Sequence, residues 1–214
     1  MPGSTTSSSA SSRKGRWASR APIRQTFVEL GGVLESLPAR PVRLVAVDGG
    51  AGSGKTTFAA LLGQAMDVPV LQIDDFVSWL SLESWWPRFE EQVLGPLFRG
   101  EDLEFQVRDW VGDTYGEGLG DWKRVPWCET MILEGIGSSR LALVDRLAYA
   151  IWVEAPEDLR IRRGIERDGE TDEALWRKWM PYEADFFARD GARSRASLYV
   201  DGTKPFDDGF WRLA

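Results

Sequence analysis

The sequence predicts an α/β fold in which a parallel β-sheet is covered by helices on both faces. Three observations carry that reading. Short apolar runs of strand length alternate along the chain with longer amphipathic stretches. A glycine-rich loop, Gly49-Gly50-Ala51-Gly52-Ser53-Gly54-Lys55-Thr56, stands between one such run and one such stretch. Two further runs end in carboxylates, at Asp74 and Glu134, and ligands of open α/β sheets bind beyond the carboxyl ends of the strands.

Taken in order, residues 1–21 are rich in Ser and Thr and hold no apolar segment of the signal-peptide kind. A disordered tail is expected there, ahead of one domain over 22–214. Ile23, Phe27, Leu30, Leu34 and Leu37 recur at helical spacing and stop at Pro38, which predicts a helix beside the main body. Val42–Val47, closed by Asp48, reads as a buried parallel strand. Phe58, Leu61, Leu62, Ala65 and Met66 form the apolar face of the helix that follows the loop. Further strands are predicted at Val70–Asp74, Met131–Glu134, Ala150–Val153 and near Leu198–Asp201.

Pro156, Glu157 and Asp158 suit a helix start, and Arg160, Arg163 and Arg167 then lie on one helical face. A last long helix runs from Thr171 to about Gly191 with Trp176, Met180 and Phe187 turned inward. Pro181 should kink or interrupt it, and Glu183 is its outside candidate for function. The stretch from about 77 to 127 fits the alternation least. It holds Trp79, Trp85, Trp86, Trp110, Trp122 and Trp127 and a glycine-rich segment over 112–120. Helical fragments and loops over one sheet edge are expected there.

Composition removes several function classes. The chain has no histidine, which excludes serine–histidine triads, histidine bases and most zinc sites. Acid–base chemistry must then rest on carboxylates, lysine or tyrosine. Cys128 is the one cysteine; it has no internal disulfide partner, so a reducing, cytoplasmic setting is expected. The net charge is −7, although Arg13, Lys14, Arg16 and Arg20 meet no acid in the first twenty residues. An acidic body argues against a nucleic-acid partner. No apolar run approaches the roughly 20 residues of a membrane span, and nothing in the chain speaks to oligomeric state.

Gly49, Gly54, Lys55 and Thr56 satisfy the spacing G-x-x-x-x-G-K-[ST]. Glycines let successive N–H groups from Gly49 through Gly50, Ala51, Gly52, Ser53 and Gly54 turn around a phosphate. The helix beginning near Lys55, Thr56 and Thr57 adds its positive end. Lys55 suits the β- and γ-phosphates of a nucleoside triphosphate, and Thr56 suits Mg²⁺. A dinucleotide loop is excluded, because after Gly50 and Gly52 the third glycine would fall at Lys55.

Asp74 and Asp75 close the second strand. One of them can accept the proton of a hydroxyl attacking the γ-phosphorus, or the pair can simply cap the following turn. Glu134, before Gly135, suits a water-mediated magnesium contact or a plain strand end. Arg160, Arg163 and Arg167 suit a clamp on a transferring phosphoryl group, or a solvated stripe paired with Glu157, Glu166 and Asp168. Around Trp110, the residues Arg108 and Asp109, together with Asp75, are candidates for an acceptor pocket.

With these positions in hand, the chain resembles the uridine kinase / phosphoribulokinase branch of P-loop small-molecule kinases. The matching pieces are Val47 through Thr57, Ile73-Asp74-Asp75-Phe76, Leu133-Glu134-Gly135 and Arg160 through Asp168, in the family's order. The resemblance implies the P-loop NTPase fold with a five-stranded parallel sheet, ATP with Mg²⁺, and phosphoryl transfer to a hydroxyl of a small metabolite such as a nucleoside. It matches Asp74 to the hydroxyl-activating aspartate, Glu134 to the magnesium-associated acid, and Arg163 and Arg167 to the lid arginines. Val77 stands where the family's nucleoside kinases carry a tyrosine, and no histidine exists to face a pyrimidine. The rival reading is an ATPase or nucleotide-dependent switch with no small acceptor.

Overall fold

The computed structural model describes residues 23–213, so the expected tail lies outside the described residues. Strand β1 (Ile23–Thr26) leads directly into helix α1 (Phe27–Glu35). The periodicity had predicted helix from Ile23 onward. Thr26 instead caps α1: its hydroxyl accepts from the Glu29 N–H while the Glu29 carboxylate accepts from the Thr26 N–H. The residues before that cap are extended because they pair with a strand at the far end of the chain, a partner that local spacing cannot reveal.

Strand β2 (Arg43–Asp48) is buried throughout, and after the glycine loop comes α2 (Lys55–Met66). Strand β3 (Val70–Gln72) is shorter than expected, because Ile73–Asp75 turns into a single 3-10 turn. The 77–127 region is richer than fragments and loops. A helical run made of α3 (Trp86–Phe89), one π-type turn (Glu90–Leu94) and α4 (Gly95–Arg99) leads to a hairpin of β4 (Leu103–Arg108) and β5 (Leu119–Val125). Next come β6 (Thr130–Glu134), β7 (Leu147–Glu154), α5 (Glu157–Asp168) and α6 (Glu173–Asp190). The short α7 (Ala192–Arg195), β8 (Leu198–Asp201) and β9 (Gly209–Leu213) end the described chain. Helix α6 continues through Pro181, which lies on its exposed side.

The main sheet has the order β1-β9-β8-β7-β2-β6-β3. It has seven strands, not the five implied by the resemblance. The strands from β8 to β3 pair in parallel, and β9 and β1 extend one edge by antiparallel pairing. Alternation along β2 feeds both faces: Val45 and Val47 join Phe27, Leu30, Phe58 and Leu62 of α1 and α2, whereas Leu44 joins Phe89, Leu97, Phe105 and Trp176. Two apolar layers therefore hold the carboxyl ends of β2, β3 and β6 side by side. Among the described residues, no helix is long and apolar enough to cross a membrane.

Candidate active site

The glycine loop bends where its sequence requires. Gly52 and Gly54 have φ values of 77° and 98°, in the left-handed region that side chains disfavour. Ala51, Gly52, Gly54, Lys55, Thr56 and Thr57 line a cavity of about 790 Å³. Gly49, Gly50 and Ser53 form the back of the loop instead. A Cβ on Gly50 would overlap the Arg160 guanidinium, and one on Gly49 would overlap the Val153 carbonyl oxygen.

Two acids hold that back in place. Asp48 is fully buried at the end of β2, where its carboxylate accepts from the N–H groups of Gly49, Gly137 and Ser139 and from the Ser139 hydroxyl. Burial raises its pKa and these hydrogen bonds oppose the rise. On α6, Glu183 is 1% exposed. Its Oε2 accepts from the Ala51 N–H at 2.6 Å and its Oε1 accepts from Arg160 Nη1 at 2.5 Å. Arg160 Nη1 also reaches the Ala51 carbonyl at 3.2 Å. The loop, α5 and α6 are thus joined through one buried ion pair.

On the cavity side, the Thr56 hydroxyl donates to Glu134 Oε1 at 3.0 Å. Glu134 is buried, and its pKa is raised to about 7, chiefly by burial and further by Asp74 and Asp48, while Lys55 and Thr56 act in the opposite direction. A hydroxyl beside a buried carboxylate that lacks a full counter-charge is a donor set that fits a hard cation. Among the described residues no group of three or more acidic, cysteine or histidine side chains forms a metal site by itself. Magnesium held by Thr56 and Glu134 would therefore need the nucleotide's phosphates to complete its shell.

The raised pKa has a measurable consequence. Between about pH 4.5 and 7 the folded chain binds the Glu134 proton more tightly than the unfolded chain, so stability falls as pH rises through that window. Glu134→Gln should melt higher than the parent at pH 8 without ligand, by the several degrees that about 3 kcal/mol implies. The two should melt alike at pH 4.5. If Glu134 holds Mg²⁺, the variant should also lose any stabilisation that Mg²⁺ adds to that of ATP, which thermal melts with ATP alone and ATP–Mg²⁺ would measure.

Asp74 lies on the turn after β3, with its side chain exposed to the cavity. Asp75 does not line the cavity; it pairs with Lys123 at 2.9 Å. Arg163 lines the cavity and donates to the carbonyls of Gly202 at 2.9 Å and Gly52 at 3.3 Å. Arg167 also lines it and holds Asp168 through Nε and Nη2, at 2.7 and 2.9 Å. Trp110 lines the wall near Asp74, and its indole N–H donates to the Asp74 carbonyl at 2.8 Å.

Arg108 and Asp109 are not at the cavity. The hairpin turns Arg108 inward, where it donates to the carbonyls of Asp109 and Asp113, and Asp109 accepts from the N–H groups of Val111 and Gly112. The sequence offered its tryptophans as core or pocket walls without saying which; Trp79, Trp176 and Trp179 line the cavity beside Trp110. It also left Asp48 without a role and Glu183 at the margin. A signal for Glu183 exists: Trp176, Trp179, Met180, Glu183 and Phe186 share one buried stripe, and an acid inside such a stripe needs a partner. A shallower hollow of about 440 Å³, between Ile161, Arg162 and Arg177, contains no residue of the loop.

No family model matches the chain. Among curated proteins, uridine-cytidine kinase-like 1 of Mus musculus is 26% identical over 149 residues, which cover 58% of this chain and 26% of the mouse protein. Among solved structures, a protein described as a possible uridine kinase from Bacillus stearothermophilus superposes with a TM-score of 0.59 at 17% identity. That match covers 81% of this chain and 96% of the other. The chain has the P-loop kinase fold of that structure. A protein described as a fructose transport system kinase from Silicibacter sp. TM1040 shares this P-loop fold, with a TM-score of 0.52 at 22% identity over 67% of this chain and 81% of its own.

Proposed function

We propose that this protein transfers the γ-phosphoryl group of ATP to a hydroxyl of a small metabolite. The observation that carries the reading is the shared cavity: Lys55 and Thr56 of the phosphate loop open onto the same space as the exposed carboxylate of Asp74. Asp74 takes the proton from the acceptor hydroxyl as its oxygen attacks the γ-phosphorus, and the bond to the β–γ bridging oxygen breaks to release ADP. Lys55 and Arg163 offset the charge spreading over the phosphoryl oxygens. Thr56 and Glu134 would hold a magnesium ion, which would supply neutralisation of part of that charge. Arg167 stands at the cavity edge as a second cation of the lid. The wall of tryptophans on α6 and beside Asp74 keeps water from the hydroxyl's place.

The name of the mouse relative makes a nucleoside one acceptor to test. The decisive measurement is ADP release from ATP–Mg²⁺ with and without a mixture of nucleosides, sugars and other hydroxylated metabolites. Release that depends on the mixture, and disappears in Lys55→Met, is the expected result. Steady release without any acceptor would favour an ATPase or nucleotide switch instead.

A further inference from the structure

Given the phosphoryl-transfer reading above, Asp74 has to face the acceptor hydroxyl, yet little at its own side chain aims it. Among the described residues, no hydrogen bond or ion pair reaches its carboxylate, which stands open to the cavity. Its direction is therefore set through the backbone. That backbone is the single 3-10 turn Ile73–Asp75, closed by the N–H groups of Phe76 and Val77 on the Ile73 carbonyl, at 2.8 and 3.0 Å. One turn fixes several dihedral angles for few bonds, and 3-10 geometry makes those bonds weaker than in an α-helix.

The firmer hold comes from the hairpin. The Trp110 indole N–H donates to the Asp74 carbonyl at 2.8 Å, from 36 residues away in sequence. The carbonyl carbon and Cβ share the Asp74 Cα, so fixing the plane of that carbonyl fixes the direction in which the side chain leaves. Trp110 is itself held by the turn between β4 and β5. Arg108 is buried, donates to the carbonyls of Asp109 and Asp113, and places its guanidinium 4.6 Å from the Trp110 ring centroid. The Asp109 carboxylate accepts from the N–H groups of Val111 and Gly112, at 3.1 and 2.7 Å, and the Thr114 hydroxyl donates to the Trp110 carbonyl at 3.1 Å. Trp79 meets the indole edge-to-face, with centroids 6.5 Å apart. Arg108 and Asp109 lie away from the cavity, but they fix the ring that fixes Asp74.

We propose that Trp110 is a positioning residue for Asp74: its N–H, held by the hairpin turn, sets the aim of the carboxylate that takes the acceptor's proton. The test uses the full chain with ATP–Mg²⁺ and uridine, cytidine or fructose as the acceptor probe. Trp110→Phe removes the N–H and keeps an aromatic ring in the wall. Its kcat should fall by roughly 10- to 100-fold, the cost of a misplaced reacting group. The KM values for ATP and for the probe should stay within about threefold, because the lost interaction serves the transition state alone. Added to Asp74→Asn, the same substitution should change residual turnover by less than about twofold, since no carboxylate is left to aim. Lost packing would instead lower both backgrounds alike. Equal losses in the two backgrounds, a loss confined to KM, or a Trp110→Phe kcat within about twofold of the parent's overturns the inference.

The tether is also read without turnover. Hydrogen exchange at the Phe76 and Val77 amides, which close the Asp74 turn, should quicken several-fold in Trp110→Phe, the factor that one hydrogen bond is worth. If none of the three probes yields ADP with the parent, the kinase reading falls and the exchange rates decide the tether by themselves. Faster exchange in the variant then upholds it, and unchanged exchange overturns it.

Discussion

Asp74→Asn should lower turnover by on the order of 10²–10⁴, the usual contribution of a positioned general base, and leave ATP affinity within a few-fold of the parent. The substitution is close to isosteric, and the main structural tie at this position survives it: Trp110 donates to the Asp74 backbone carbonyl rather than to its side chain. The side chain is exposed to the cavity, so its replacement leaves no buried polar atom unpaired. A second signature follows from the electrostatics. The Asp74 charge helps raise the Glu134 pKa, so Asp74→Asn should move that pKa downward, detectable by carboxyl NMR or by the pH dependence of thermal melts. Asp75→Asn is the matched control. It removes a partly exposed ion pair with Lys123, of the kind worth less than about 1 kcal/mol, and a charge that also acts on Arg88. Full activity in Asp74→Asn, or an equal loss in Asp75→Asn, would show that the proton leaves by another route.

Glu183→Ala should be strongly destabilising. Breaking a buried ion pair from one side typically costs about 3–5 kcal/mol, because the remaining charge stays buried. Here Arg160 would lose its carboxylate and the Ala51 N–H its acceptor, both against the back of the phosphate loop. For a chain of this size the melting temperature should fall by roughly 6–20 °C, and the KM for ATP should rise because the loop loses its brace. Glu183→Gln keeps an oxygen for Ala51 and should cost less. Pairing Glu183→Ala with Arg160→Met should recover part of the loss, since the stranded charge is then gone as well. Differential scanning calorimetry would decide it; a fall of less than about 2 °C in Glu183→Ala, where about 3 kcal/mol was expected, would mean that the pair does not brace the loop.

The phosphate loop was legible because its chemistry is local. Consecutive N–H groups must curl around one anion, so Gly49, Gly54, Lys55 and Thr56 have to stand at fixed offsets along the chain. The carboxylates Asp74 and Glu134 were legible for a related reason, since each ends an apolar run and strand ends in such sheets face the ligand. The same strand logic reached the parallel strands but not the edge. Ile23 follows the helical spacing of its neighbours, yet it lies in a strand opposite Arg212, and a pairing across nearly the whole chain leaves no local trace.

The acceptor wall shows the limit most clearly. By itself, the sequence determined the glycine-loop pattern and which strand-end acids accompany it, because those groups are ordered by backbone geometry over a few residues. Only the tertiary structure decided which tryptophans line the cavity beside that loop, that Arg108 supports Trp110 from behind, and that Glu183 braces the loop. Those contacts join α5, α6, a hairpin and the phosphate loop across separations of tens of residues. Which side of each element they occupy depends on how the two apolar layers pack against the sheet.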